Sequence, residues 1–157
     1  MPDLRRATPA DIPRLMAIRG AVQENRLSDP GSVTRADYDW FVDRGRVWVA
    51  EQQGRVAGFS AADDRDGTIW ALFIDPADQG NGLASGLLDR ACTDLANSGH
   101  TVARLTTDPG TKADRLYRKL GWVDLGLGAD GEVQFERTLK GSGAKPLPQP
   151  DPRQETG

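Results

Sequence analysis

Residues 68–97 read TIWALFIDPADQGNGLASGLLDRACTDLAN, and three kinds of local structure follow one another in them. Residues 68–74 are a short apolar run bounded by turn residues, the pattern of a strand. Pro76 lacks the N–H that a ladder needs, so the strand ends near Asp75. Farther on, Leu83, Leu87, Leu88 and Leu95, with Ala84 and Ala91 between them, recur at the spacing of one helical face. Between strand and helix lies Gln79-Gly80-Asn81-Gly82-Leu83-Ala84. Its small residues let the backbone approach a ligand, and the first N–H groups of the following helix have no partner within it. Such a helix start suits a phosphate or pyrophosphate. The same residues read equally well as an ordinary strand-to-helix turn. They are not a P-loop, because no Gly-Lys-Ser/Thr follows, and they lack the G-x-G-x-x-G order of a dinucleotide fingerprint.

The order that fits is Gln/Arg-x-x-Gly-x-Gly/Ala, here residues 79–84, preceded by a strand and Asp75-Pro76. It resembles the acetyl-CoA-binding motif of the GCN5-related N-acetyltransferases, the GNAT family. Downstream, Ala113-Asp114-Arg115-Leu116-Tyr117-Arg118-Lys119-Leu120-Gly121-Trp122 is similar to that family's second signature: an alanine, a Leu-Tyr pair, and a Gly-aromatic that closes the helix. The two stand in the family's order and separation, and the resemblance spans residues 4–139. It implies an α/β GNAT fold, a mixed and strongly twisted sheet of about six to seven strands flanked by helices.

Composition agrees with one soluble domain. The chain has 157 residues, enough for a single core. No apolar run approaches the ~20 residues of a membrane span, and residues 1–13 lack the apolar centre of a signal peptide. A net charge of -3 gives no electrostatic support for nucleic-acid binding. One cysteine, Cys92, excludes an internal disulfide and a cysteine-based zinc site, so a cytoplasmic protein is the expectation, and the family resemblance implies that no metal is needed. Cys92 lies among the helix leucines, where a small buried apolar role is favoured over a nucleophile.

Taken in order, Asp3–Arg6 reads as a strand and Thr8-Pro9-Ala10-Asp11 as a capped helix start, with Pro13 still inside the first turn. Thr34-Arg35-Ala36-Asp37 is a second cap. Residues 46–51 and 55–62 form a hairpin, which Asp66-Gly67 joins to the strand at 68–74. Gly99 ends the central helix and His100, the only histidine, follows it as a surface or capping residue. A strand at 101–106, a helix at 111–120 and a hairpin of 122–127 with 132–139 complete residues 1–140 as one domain. Residues 141–157, rich in Gly and Pro with almost no large apolar side chain, read as a flexible tail.

The resemblance also assigns residues. The pyrophosphate of acetyl-CoA would rest on Gln79, Gly80, Asn81, Gly82, Leu83, Ala84 and Ser85, and the pantetheine arm along Leu72, Phe73 and Ile74. Tyr117 matches the tyrosine that many members use as general acid toward the leaving thiolate; a phenol stays protonated near neutral pH. Many members carry Asn where this chain has Gly110, and the resemblance leaves either Thr111 or a backbone N–H as the substitute contact to coenzyme A. Glu24, Asn25 and Arg26 fall in the segment that commonly lines the acceptor site. Glu24 and Glu136 are the carboxylates considered as general base, with neither preferred. Trp40, Trp48, Trp70 and Trp122 are read first as core.

The activity implied is transfer of an acetyl group from acetyl-CoA to a primary amine of a small molecule or peptide, by direct attack in a ternary complex. The alternative is a non-catalytic acyl-CoA-binding sensor or regulatory module, which would keep residues 79–84 and need no Tyr117. Neither nucleic acid nor a membrane is an expected partner. A homodimer is common in that family and open here. Glu24 and Asp29 suit a cationic acceptor and Arg26 an anionic one.

Overall fold

The computed structural model describes residues 3–22, 33–80 and 82–139. Seven strands form one sheet in the order β1-β2-β3-β4-β5-β7-β6. They are β1 (Asp3–Arg6), β2 (Val47–Gln52), β3 (Arg55–Asp63), β4 (Thr68–Ile74), β5 (Val102–Thr107), β6 (Val123–Leu127) and β7 (Val133–Thr138). Four helices accompany them: α1 (Ile12–Ala21), α2 (Arg35–Asp43), α3 (Leu83–Asn97) and α4 (Lys112–Lys119). The strand expected at 68–74 has those bounds. Residues 141–157, expected to be a flexible tail, lie outside the described residues.

Alternation along β2, β3 and β4 sorts side chains to the two faces. Val47, Val49, Phe59, Ala61, Ala71 and Phe73 face α1 and α2, packing on Ile12, Leu15, Ile18, Tyr38 and Phe41. Ala50 and Ala57 face the other way, with Leu72 and Ile74 packed alongside, onto Leu83 and Leu87 of α3. The rest of α3, through Leu88, Ala91, Cys92 and Leu95, packs with Ala103, Leu105, Val133 and Phe135 of the second half of the sheet.

The sheet is nearly two sheets. Every neighbouring pair is antiparallel except β4 with β5, which run parallel and share one register pair, Thr68–Arg104. The Arg104 N–H donates to Gly67 O at 3.0 Å at the same end. Along its other edge β5 pairs antiparallel with β7, with six register pairs from Val102–Thr138 to Thr107–Val133. A bulge reinforces the parting: Ala61 opposes Ala71 and Ala62 opposes Ile69, so Trp70 is the extra residue of β4. The C-terminal half of β4 thus carries backbone groups on its β5 side that no strand pairs.

The first helix begins differently from expectation. Pro9–Asp11 is a tight 3-10 turn, with the Ile12 N–H on Pro9 O, before α1 starts at Ile12. Pro13 has no N–H to give the Pro9 carbonyl, so the preceding residue takes it. The capping acids do what the pattern implies: the Thr8 N–H donates to Asp11 at 2.7 Å and the Thr34 N–H to Asp37 at 2.8 Å.

One buried carboxylate ties α3 to the sheet. Asp94 accepts from Arg6 at 2.7 and 3.0 Å and from the Trp48 indole N–H at 3.0 Å. The Arg6 guanidinium also lies 3.9 Å from the Trp48 ring centroid. Removing the acceptor leaves a half-buried indole donor and the Arg6 guanidinium unpaired, so Asp94→Ala is expected to lower stability by about 2 kcal/mol. Urea unfolding of the variant against the parent measures this.

Candidate functional site

Two cavities open where β4 and β5 part. One, about 450 Å³, lies at the start of α3; the other, about 300 Å³, lies against α1 and α2. Leu72, Phe73, Ala113 and Tyr117 line both, so the two meet at a shared wall.

The larger cavity is built on a helix start. Gly80 and Gly82 have φ of +88° and +77°, values that L side chains rarely adopt. Gly82 is the N-cap of α3, and no side chain caps this helix or places an acid in its first turn. Among the described residues no side chain meets its leading N–H groups, and Leu83, Ala84 and Ser85 line the cavity. Lys112 and Lys119 of α4 bring positive charge to the same cavity. Gln79 lines it too, donating to Ile74 O at 3.5 Å and accepting from Lys112 at 3.2 Å. Asp78 puts a carboxylate in this wall, but Arg55 holds it through contacts of 2.7 and 2.9 Å. Asn81 lies outside the described residues.

Charged braces fix the turns on either side. Asp75 accepts from the Ala77 N–H at 2.9 Å and pairs with Arg14 and, at 3.3 Å, with Arg55. Asp114 accepts from the Gly110 N–H and from Arg118, each at 2.7 Å. The backbone N–H first, and then the arginine, holds each carboxyl below the usual carboxylate range, against the opposing effect of burial. A carboxyl lowered by folding contributes stability that is complete above its unfolded pKa and is lost as pH falls through its folded value. Stability is therefore expected to fall below about pH 4. Asp114→Asn should flatten that acid limb in a pH series of urea unfolding curves.

Tyr117 stands at the shared wall. Its ring packs on Trp122 and Phe135, each with centroids 5.7 Å apart. Burial, and to a lesser degree the neighbouring Cys92, pushes the phenol pKa well above 10. The hydroxyl is therefore a donor throughout the neutral range, and no hydrogen bond to another described residue engages it.

The other sequence expectations fall out unevenly. Leu72, Phe73, Ile74, Gln79, Gly80, Gly82, Leu83, Ala84, Ser85 and Tyr117 come together around the two cavities. Thr111 lines neither. It is the N-cap of α4: its hydroxyl donates to Asp108 O at 2.9 Å and accepts from the Asp114 N–H at 3.1 Å. The acid three residues on made this cap readable. Glu24, Asn25 and Arg26 lie outside the described residues. Glu136 pairs with Arg104 across the β5–β7 ladder at 3.0 Å and lines neither cavity. His100 bonds Asp64 O at 2.8 Å, bracing the turn before β4. Cys92 is buried in the core, its thiol pushed up to about 11 chiefly by burial. Of the four tryptophans, Trp122 is buried and Trp70 is half-buried, lining the smaller cavity. Arg19, Tyr38 and Lys112 were missed. Arg19 follows Leu15 by four residues and Ile12 by seven, so a cation on an apolar helical face was the available signal.

Among the described residues no helix is long and apolar enough to cross a membrane, and no cluster of three or more His, Cys, Asp or Glu is placed to hold a metal ion.

Residues 43–124 match the acetyltransferase (GNAT) domain family. The mycothiol acetyltransferase of Streptomyces coelicolor is 33% identical over 106 residues, 60% of this chain and 34% of that protein. The chain thus spans about a third of the length of the curated relatives it matches. The yncA protein of Salmonella typhimurium, solved with its cofactor acetyl-CoA, superposes with a TM-score of 0.70 at 22% identity, over 96% of this chain and 99% of that one. Rv2747 of Mycobacterium tuberculosis, solved in complex with CoA, gives 0.70 at 16% identity over 88% and 100%. At these identities the solved structures show the fold.

Proposed function

The chain belongs to the GNAT acetyltransferase family, and from that premise we propose that it moves an acetyl group from acetyl-CoA to a primary amine of a small molecule or peptide, by direct attack in a ternary complex. The observation that carries the reading is the pair of cavities meeting at Leu72, Phe73, Ala113 and Tyr117. Two reactants entering from different sides would meet beside a phenol, which is the geometric requirement of direct transfer.

In this reading coenzyme A occupies the larger cavity. Its pyrophosphate lies on the N–H groups at the start of α3, with the Lys112 and Lys119 charges nearby. Its pantetheine arm, an amide chain, pairs with the backbone of Leu72, Phe73 and Ile74 on the side that β5 leaves. A β4 N–H there polarises the thioester carbonyl. The neutral amine arrives through the smaller cavity and attacks the carbonyl carbon; the C–N bond forms and the C–S bond breaks.

The raised pKa of Tyr117 shapes its part. A phenol held this firmly protonated gives a hydrogen bond to the developing thiolate more readily than a full proton. The attacking amine releases its own proton to solvent, which balances the step. Cys92 lines neither cavity and its thiol is kept protonated, which favours direct attack over an acyl-cysteine intermediate.

Thiol release from acetyl-CoA, followed against a panel of amines, amino acids, aminoglycosides and lysine peptides, tests the proposal. At least one class should accelerate release well above hydrolysis, with acetylated amine formed in equal amount. Release that no amine accelerates, from protein that binds acetyl-CoA by calorimetry, would refute it.

A further inference from the structure

The smaller cavity holds polar groups that the transfer step does not use. Its walls are largely aromatic and apolar, from Tyr38, Trp70, Phe73 and Leu105. Tyr38 is 1% exposed, and its buried hydroxyl faces the Arg19 guanidinium without a hydrogen bond of good geometry to any described residue. One terminal nitrogen of Arg19 is also buried without a partner. Both residues line the cavity. The Arg19 guanidinium lies 4.7 Å from the Phe73 ring centroid and 5.5 Å from that of Trp70, so two ring faces hold it in place. Among the described residues no carboxylate pairs with it, and none lines the cavity.

A buried donor without a partner costs about 1–3 kcal/mol. Two of them in one cavity, a guanidinium and a phenol, match one planar acceptor group with several lone pairs. A carboxylate is such a group, and an arginine fork is the side chain that binds it best. An aminoglycoside or polyamine would instead set its own cations against Arg19, and a neutral amide would leave that charge uncompensated.

We propose that Arg19 and Tyr38 hold a carboxylate of the acceptor, so that the acceptor is an amino acid, or another amine bearing a carboxylate, with an aromatic or large apolar side chain. The carboxylate sits at Arg19 and Tyr38, the side chain against Trp70 and Phe73, and the amine points to the wall shared with the coenzyme cavity. This rests on the acetyl-transfer reading above.

The test reads binding of finished products, so it needs no turnover. N-acetylphenylalanine and N-acetylphenylalaninamide are titrated by calorimetry into the protein, with and without coenzyme A. The acid is expected to bind at least tenfold tighter than the amide. Arg19→Gln should bring that ratio close to one, Arg19→Lys should restore much of it, and Tyr38→Phe should weaken acid binding several-fold, all in variants that melt like the parent. Equal binding of acid and amide, a preference that persists in Arg19→Gln, or no binding of either probe would overturn the proposal. Failure of the acetyl-transfer reading would show separately, in thiol release.

Discussion

Gly82→Glu is expected to abolish acetyl-CoA binding while leaving the fold in place. A Cβ at Gly82 meets no atom within 4 Å beyond its chain neighbours, so the first side-chain carbon makes no clash. The left-handed backbone costs a non-glycine residue roughly 1–2 kcal/mol. A carboxylate at the start of α3 returns part of that by facing the positive end of the helix. The same carboxylate competes with the pyrophosphate for those N–H groups and repels it. At ~5 Å, with an effective dielectric near 20, the repulsion is roughly 3 kcal/mol, more than a hundred-fold in affinity. Gly82→Ala carries the backbone strain without the charge and should weaken binding only several-fold. Calorimetry with acetyl-CoA, on variants shown by thermal melting to be folded, separates the two effects. Full affinity in a folded Gly82→Glu variant would mean that the pyrophosphate does not lie on α3.

The parts of this structure legible in the sequence are those written by neighbouring residues. β4, the glycine turn and α3 follow one another, and each is limited by a residue with one strong preference: Pro76, Gly80, Gly82, Gly99. The two signatures carried the fold because the family's pattern includes their separation. What could not be read depends on partners far apart in the chain. The insertion of β7 between β5 and β6 is a long-range pairing with no local signal. It occupies the edge of β5 that faces away from β4, while β4 and β5 part after Thr68–Arg104. The smaller cavity draws on α1, α2, β4, β5 and α4 together, so no window of sequence contains it.

Two residue assignments show the same limit at finer scale. Thr111 was set against coenzyme A by its place in a signature, whereas its hydroxyl serves the start of α4. A local hydrogen bond three residues away competes well with a distant ligand. Glu136 could face either way along β7, and the register with Arg104 across the ladder engages it as an ion pair. Arg19 shows the converse: a cation on the apolar stripe of α1 has a reason only once Tyr38, Trp70 and Phe73 stand around it.

Tyr117→Phe is expected to lower kcat by roughly a hundred-fold, the usual range for loss of one donor to a developing negative charge. The ring stays, and with it the packing on Trp122 and Phe135, so stability and acetyl-CoA affinity should match the parent. The loss therefore falls on kcat and not on coenzyme binding, as for an interaction made in the transition state. The pH profile gives an independent sign. Because burial holds the phenol protonated beyond the ordinary tyrosine range, the parent rate should rise with pH as the acceptor amine loses its proton. No descending limb from Tyr117 should appear below about pH 10. In Tyr117→Phe the ascending limb should keep its position while the whole profile drops, since the amine sets the limb and the phenol sets its height. A variant that turns over like the parent, or one whose loss lies entirely in acetyl-CoA affinity, would remove Tyr117 from the chemical step and leave it as a wall between two cavities.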